Sequence, residues 1–125
     1  MAFGATLSIT INAVAKVLNR VSDADPYSSE YLLRASTEEF RVKIRHSHSD
    51  PKGIDAFQRG VDRHNMEFTH VVYATPTTKE IRRKVYTVIE CYGADDVAAV
   101  SLDAVGFFAY AGNAGRVDDQ LAWMS

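Results

Sequence analysis

Two histidines two residues apart, in "HSHSD" (His46 to Asp50), are the first place to look for chemistry. On a β-strand, side chains alternate between faces, so His46 and His48 would share a face and could ligate a metal. The ligand set is incomplete, because Asp50 belongs to the turn signal "HSDPKG" (His48 to Gly53). Hydrogen-bonded or solvated histidines are the simpler expectation, and no metal site is expected there. "RHN" (Arg63 to Asn65) with Glu67 supplies acid and base groups but no nucleophile with an orienting partner. There is no glycine-rich phosphate loop. Cys91, the single cysteine, has no base near it in sequence and reads as a buried small hydrophobe. Asp95-Asp96 and Asp118-Asp119 are acidic pairs. Capping and solvation account for them; calcium held between subunits is the alternative reading. No catalytic residue is expected, and the chain does not read as an enzyme.

Basic residues make a different pattern. In "EFRVKIRHS" (Glu39 to Ser47), Phe40, Val42 and Ile44 face one way, while Arg41, Lys43 and Arg45 face the other. In "RRKVYTVIECY" (Arg82 to Tyr92), Val85, Thr87, Ile89 and Cys91 form an apolar row, while Lys84, Tyr86, Val88 and Glu90 form the opposite one. If the two strands share a sheet, their basic rows lie on one open face. A flat surface with Lys, Arg and exposed Tyr can hold phosphates and stack unpaired bases. Residues 41 to 84 contain ten of the 14 Lys and Arg, five of the 16 acids and all four histidines, so a positive centre sits between negative flanks. That asymmetry points to a polyanion on one surface.

The elements that must position these rows follow from periodicity. "TLSITI" (Thr6 to Ile11) and "VAKVLNRV" (Val14 to Val21) read as a hairpin turning at Asn12-Ala13. "YSSEYLLRA" (Tyr27 to Ala35) is a third strand and Glu39 to Ser47 a fourth. Val61 to Ala74 is a fifth, with Met66 and Phe68 inward and Asn65, Glu67 and Thr69 outward. Glu80 to Tyr92 is the last, after a short connection at Thr75 to Lys79. After Gly93 the period becomes helical, with Asp95 as N-cap, and Gly112-Asn113 ends that helix. Arg116 to Met124 forms a second helix. The expected class is α+β, with antiparallel strands followed by helices on one sheet face. The first helix is apolar nearly all round, from Val97 to Tyr110, and one sheet covers only one side of it. A second copy of the chain is the expected cover, giving an obligate dimer.

At 125 residues and 46% hydrophobic, the chain is long and apolar enough for one packed domain. One cysteine excludes an intrachain disulfide. "MAFGATLSIT" lacks the basic start and apolar block of a signal peptide, and no run is long enough to span a membrane. A soluble chain made inside the cell, with no membrane partner, is expected.

Taken in order, these segments resemble the coat proteins of single-stranded RNA bacteriophages, the leviviruses. The resemblance covers nearly the whole chain and rests on "FRVKIRHS", "RHNMEFT", "VVYA", "RKVYTVIE" and the two C-terminal helices. "AKVL", "SEY", "RHNMEFT" and "VYA" look closest to a Caulobacter-infecting member. The resemblance implies one coat-protein domain over 1–125. Its parts would be an outer N-terminal hairpin (1–21), a five-stranded antiparallel sheet (27–92) and two helices (95–124) interlocked in a dimer. It implies assembly into an icosahedral shell in the bacterial host cytoplasm, a virion location, and packaging of single-stranded genomic RNA against the inner sheet face. In several members a dimer also represses translation at a genomic hairpin. Lys43 and Arg45 match sheet positions that contact that hairpin, Tyr86 matches a tyrosine that stacks on an unpaired base, and Asn65 matches another RNA-facing position. Arg41 and Lys84 extend the set as members of the basic rows. Val88 and Glu67 depart from the family pattern, which often has a polar and a basic residue there. The alternative is a small dimeric RNA-binding regulator that forms no shell.

Overall fold

A computed structural model describes residues 4–22, 26–49 and 59–124. Among the described residues, six strands make one curled sheet, in which each strand lies beside its sequence neighbour. They are β1 (Thr6–Ile11), β2 (Val14–Ser22), β3 (Ser28–Arg34), β4 (Glu38–His48), β5 (Val61–Val72) and β6 (Ile81–Tyr92). Two helices follow, α1 (Val97–Ala111) and α2 (Ala114–Leu121). This is the expected α+β order, with strand ends moved by one or two residues. The turn expected at Asp50, Pro51 and Gly53 lies outside the described residues. The chain divides into two compact units: Met1–Ser49 with Asp62–Glu90, and Asp50–Val61 with Cys91–Ser125.

The first unit is built on alternation. β1 places Leu7, Ile9 and Ile11 on one face, and the two-residue turn at Asn12 and Ala13 (φ 50° and 62°) returns the chain antiparallel. Leu18 in β2, opposite Leu7, is fully buried. It clusters with Tyr31, Phe40, Val42 and Ile44, and Leu7, Ile9, Ile11, Leu33 and Phe68 pack around them. The hairpin therefore closes over the apolar face of β3 to β5. A register shift between Arg20 and Ser22 interrupts the pairing of β2 with β3, as a bulge does. Lys16 sits 5.3 Å above the Phe40 ring, and Arg20 donates to the Tyr31 hydroxyl (2.9 Å), which donates to the Gly4 carbonyl (2.7 Å). These bonds tie the base of the hairpin to β3.

Within the first unit, the hairpin itself covers part of the apolar face. No residue of α1 or α2 is buried. Val85, on the inward row of β6, is 65% exposed, and Cys91 is only half-buried. The sheet's own hairpin supplies the cover, and it reaches only part of the inward face. Met66 shows where it stops: it points inward beside buried Ile44 yet stays 41% exposed. Thr69 departs the other way, being buried on the outward face. It pairs with Arg41, whose ties to Glu30 and Glu39 close that end of the surface.

In the second unit, Gly93 donates to the Gly60 carbonyl (3.0 Å). A Cβ at Gly93 would lie 2.6 Å from the Arg59 carbonyl oxygen, so only glycine fits. The helix cap is Asp96 rather than Asp95: its carboxylate accepts from the Ala98 amide (3.0 Å), while Asp95 accepts from the Asp96 amide (2.7 Å). Gly112 ends α1 and Asn113 caps α2, accepting from the Gly115 amide (3.0 Å). α2 thus starts two residues before the expected Arg116. Asp96→Ala should remove the cap and destabilise the protein by about 1 kcal/mol. Thermal melting with and without a chelator checks this, and a cap requires the same loss in both. A chelator that erased the difference would assign Asp96 to a cation instead.

Candidate nucleic-acid interface

The outward face of β4, β5 and β6 collects the basic rows. β4 and β5 pair in register so that Lys43 faces Glu67, Arg45 faces Asn65 and Arg41 faces Thr69. β6 lies beside β5 and brings Lys84 and Tyr86 to the same surface. The Lys84 ammonium reaches Glu67 Oε1 at 3.0 Å, and Arg45 Nη2 reaches Glu67 Oε2 at 3.3 Å. Arg45 also donates to Asn65 Oδ1 (3.0 Å), and Asn65 Nδ2 donates to the Thr87 carbonyl (3.1 Å). That last bond fixes the asparagine amide, so its oxygen is held toward Arg45.

Above these contacts lies a groove of about 610 Å³, lined by Arg45, Asn65, Glu67, Lys84, Tyr86 and Tyr27 among others. Tyr86 is 64% exposed, so its ring is available for stacking. Lys43 and Arg45 line an adjoining hollow of about 190 Å³ with Glu30. Of the residues singled out by sequence, Arg45, Asn65, Lys84 and Tyr86 come together in one groove, and Lys43 sits next to it. Arg41 does not join them. Its guanidinium is ion-paired with Glu30 and Glu39. Burial alone would lower its pKa, but these hydrogen bonds and charges outweigh burial and hold it raised. Arg41 is thereby spent on the sheet.

Tyr27 is a groove-lining residue that sequence reasoning passed over. Glu67 was legible as an outward acid standing where the family often has a basic residue; its position among cations follows from strand register. Hydrogen bonding from Lys84 lowers the Glu67 pKa, burial opposes this, and the charges of Lys84, Arg45 and Lys43 reinforce it. A lowered carboxylate pKa contributes stability that is complete above the ordinary glutamate range and is lost as pH falls through the lowered value.

The histidine run is hydrogen-bonded. His46 and His64 face each other across β4 and β5 with Nδ1 atoms 2.9 Å apart, and His48 pairs with Asp62. Asp50 lies outside the described residues. Among the described residues, no group of three or more His, Cys, Asp or Glu side chains is arranged to hold a metal ion. Asp95 and Asp96 are occupied at the helix start, and Asp119 lies 3.7 Å from Arg116. Among the described residues, no single helix is long and apolar enough to cross a membrane.

No curated protein matches the chain. A family model described as phage phiCb5 coat protein matches residues 4–92, which span the hairpin and all six strands.

Proposed function

The chain belongs to the coat protein family of phage phiCb5, a Caulobacter RNA phage, and from that premise we propose that it pairs through its helices, builds an icosahedral shell and holds single-stranded RNA against the outward sheet face. It is a phage capsid protein, and its family is structural rather than enzymatic. The family match favours a shell over a regulator that forms none.

The observation that carries the RNA reading is the convergence of Arg45, Lys84, Asn65 and Tyr86 on one groove, with Lys43 adjoining. Cations there meet phosphate, and an exposed tyrosine offers a platform for an unpaired base. Pairing is supported by the helices, where Val97 is 80% exposed, Leu102 76%, Val105 64% and Phe107 65%. So much apolar surface on one element marks an interface. The residues after 92, which carry these helices, lie beyond the family match, so this part rests on their exposure.

RNA affinity over a salt series tests the reading. Lys43→Ala and Lys84→Ala should each weaken binding to many RNAs and flatten the salt dependence by roughly one unit of slope. Tyr86→Ala should leave the slope intact and reduce binding of RNAs with an unpaired base by about 1–3 kcal/mol. Because Tyr86 is exposed, that variant should fold. Unchanged binding in all three variants would remove RNA from this face.

A further inference from the structure

We infer that Glu67 is a built-in competitor of RNA phosphate, occupying Lys84 and Arg45 so that the face responds weakly to bare polyanion and depends on an unpaired base at Tyr86. The inference rests on the RNA-face reading above and adds a residue that sets its selectivity.

Glu67 stands at the centre of the basic surface rather than at its edge. Each carboxylate oxygen takes a different cation, Lys84 at 3.0 Å and Arg45 at 3.3 Å, and Lys43 lies directly across the strands. The Glu67 side chain is only 15% exposed, while those of Lys84 and Arg45 are 48% and 54% exposed. The cations therefore reach solvent from above, with the carboxylate beneath and between them. A phosphate arriving from solvent meets ammonium and guanidinium groups already partly neutralised. It must either share them with Glu67 or displace it, and its approach is opposed by a like charge.

The opposition is constant. Lys84, Arg45 and Lys43 keep Glu67 ionised throughout the neutral range. It acts as a fixed counterion, not as a pH switch.

Two kinds of ligand feel this carboxylate differently. A polyanion without bases has only its phosphates to offer, so the counterion acts on all of its binding energy. A single strand can lay a base on the Tyr86 ring, and that stacking needs no cation. It can also route its flexible backbone past the carboxylate. Weakening the phosphate contribution while leaving stacking untouched raises selectivity for unpaired RNA over other polyanions.

The test compares Glu67→Gln with the unaltered protein, using linear polyphosphate and a single-stranded oligoribonucleotide over a salt series. The amide keeps the shape and loses the charge. Polyphosphate affinity should rise about ten-fold, the range expected from freeing two partly exposed ion pairs. Its salt slope should steepen by roughly one unit. The oligoribonucleotide should gain less, so its advantage over polyphosphate shrinks. Glu67→Thr, with a strand-favouring side chain, gives the same readout if the amide variant folds poorly. An unchanged polyphosphate affinity and slope in both variants, with Lys84→Ala still weakening RNA binding, would overturn the role of Glu67 and leave the RNA face standing. If Lys43→Ala and Lys84→Ala also changed nothing, the RNA face would fall and this inference with it.

Discussion

Phe107→Asp is expected to leave the chain folded and to abolish its association with a second copy. The residue is 65% exposed and no residue of α1 is buried, so the chain's own packing loses little. In a two-fold dimer every substitution counts twice. Burying one phenylalanine stabilises by roughly 1.5–3 kcal/mol, and an aspartate placed against an apolar partner adds a desolvation penalty. The combined loss is on the order of 5 kcal/mol or more, which weakens dimerisation by more than about a thousand-fold. Sedimentation should show monomers, far-ultraviolet circular dichroism should show retained strands, and electron microscopy should show no particles. Wild-type particles from this variant would take α1 out of the interface.

Phe40→Ala is expected to have the largest effect on the fold itself. Phe40 is 3% exposed and stacks on His70 at 4.3 Å, with Phe68 at 6.3 Å and Lys16 above the ring at 5.3 Å. It joins three parts of the fold: the alternation of β4, the cross-strand row on β5 and the closure of the hairpin. Removing the ring leaves a cavity that rigid strands fill poorly, and such changes destabilise by about 3–5 kcal/mol. For a domain of this size the melting temperature should fall by roughly 10–20 °C. The melt must be run at fixed protein concentration, because association shifts apparent stability. Val85→Ala is the control, since Val85 is 65% exposed within the chain and should matter only where a second copy covers it. A neutral Phe40→Ala would mean that the hairpin does not close the core.

Much of the site was readable before any coordinates. Lys43, Arg45, Lys84 and Tyr86 fall on one face because strand alternation is local, and "FRVKIRHS" and "RKVYTVIE" both alternate cleanly. Arg41 belongs to the same row and shares the same period, yet it is withdrawn by Glu30 from β3 and Glu39 from its own strand. Nothing in the spacing of β4 marks that difference, because Glu30 reaches Arg41 only through pairing of β3 with β4. The cap moved from Asp95 to Asp96 for a smaller reason: both residues can accept from a nearby amide, and a single residue of helix phase decides which carboxylate lies over the first turn.

By itself, the sequence determined the order of strands and helices, the face on which each strand carries its cations, and the excess of apolar surface on α1. These are properties of periods two and 3.6, and they depend on near neighbours alone. Tertiary structure decided which apolar face the hairpin closes, where that cover ends at Met66 and Val85, and which acid enters the basic surface. Closure depends on hairpin residues packing against β3 to β5, and the place of Glu67 depends on register across three strands. Both are sums over contacts between residues distant in sequence, where one step of register moves a side chain to the other face.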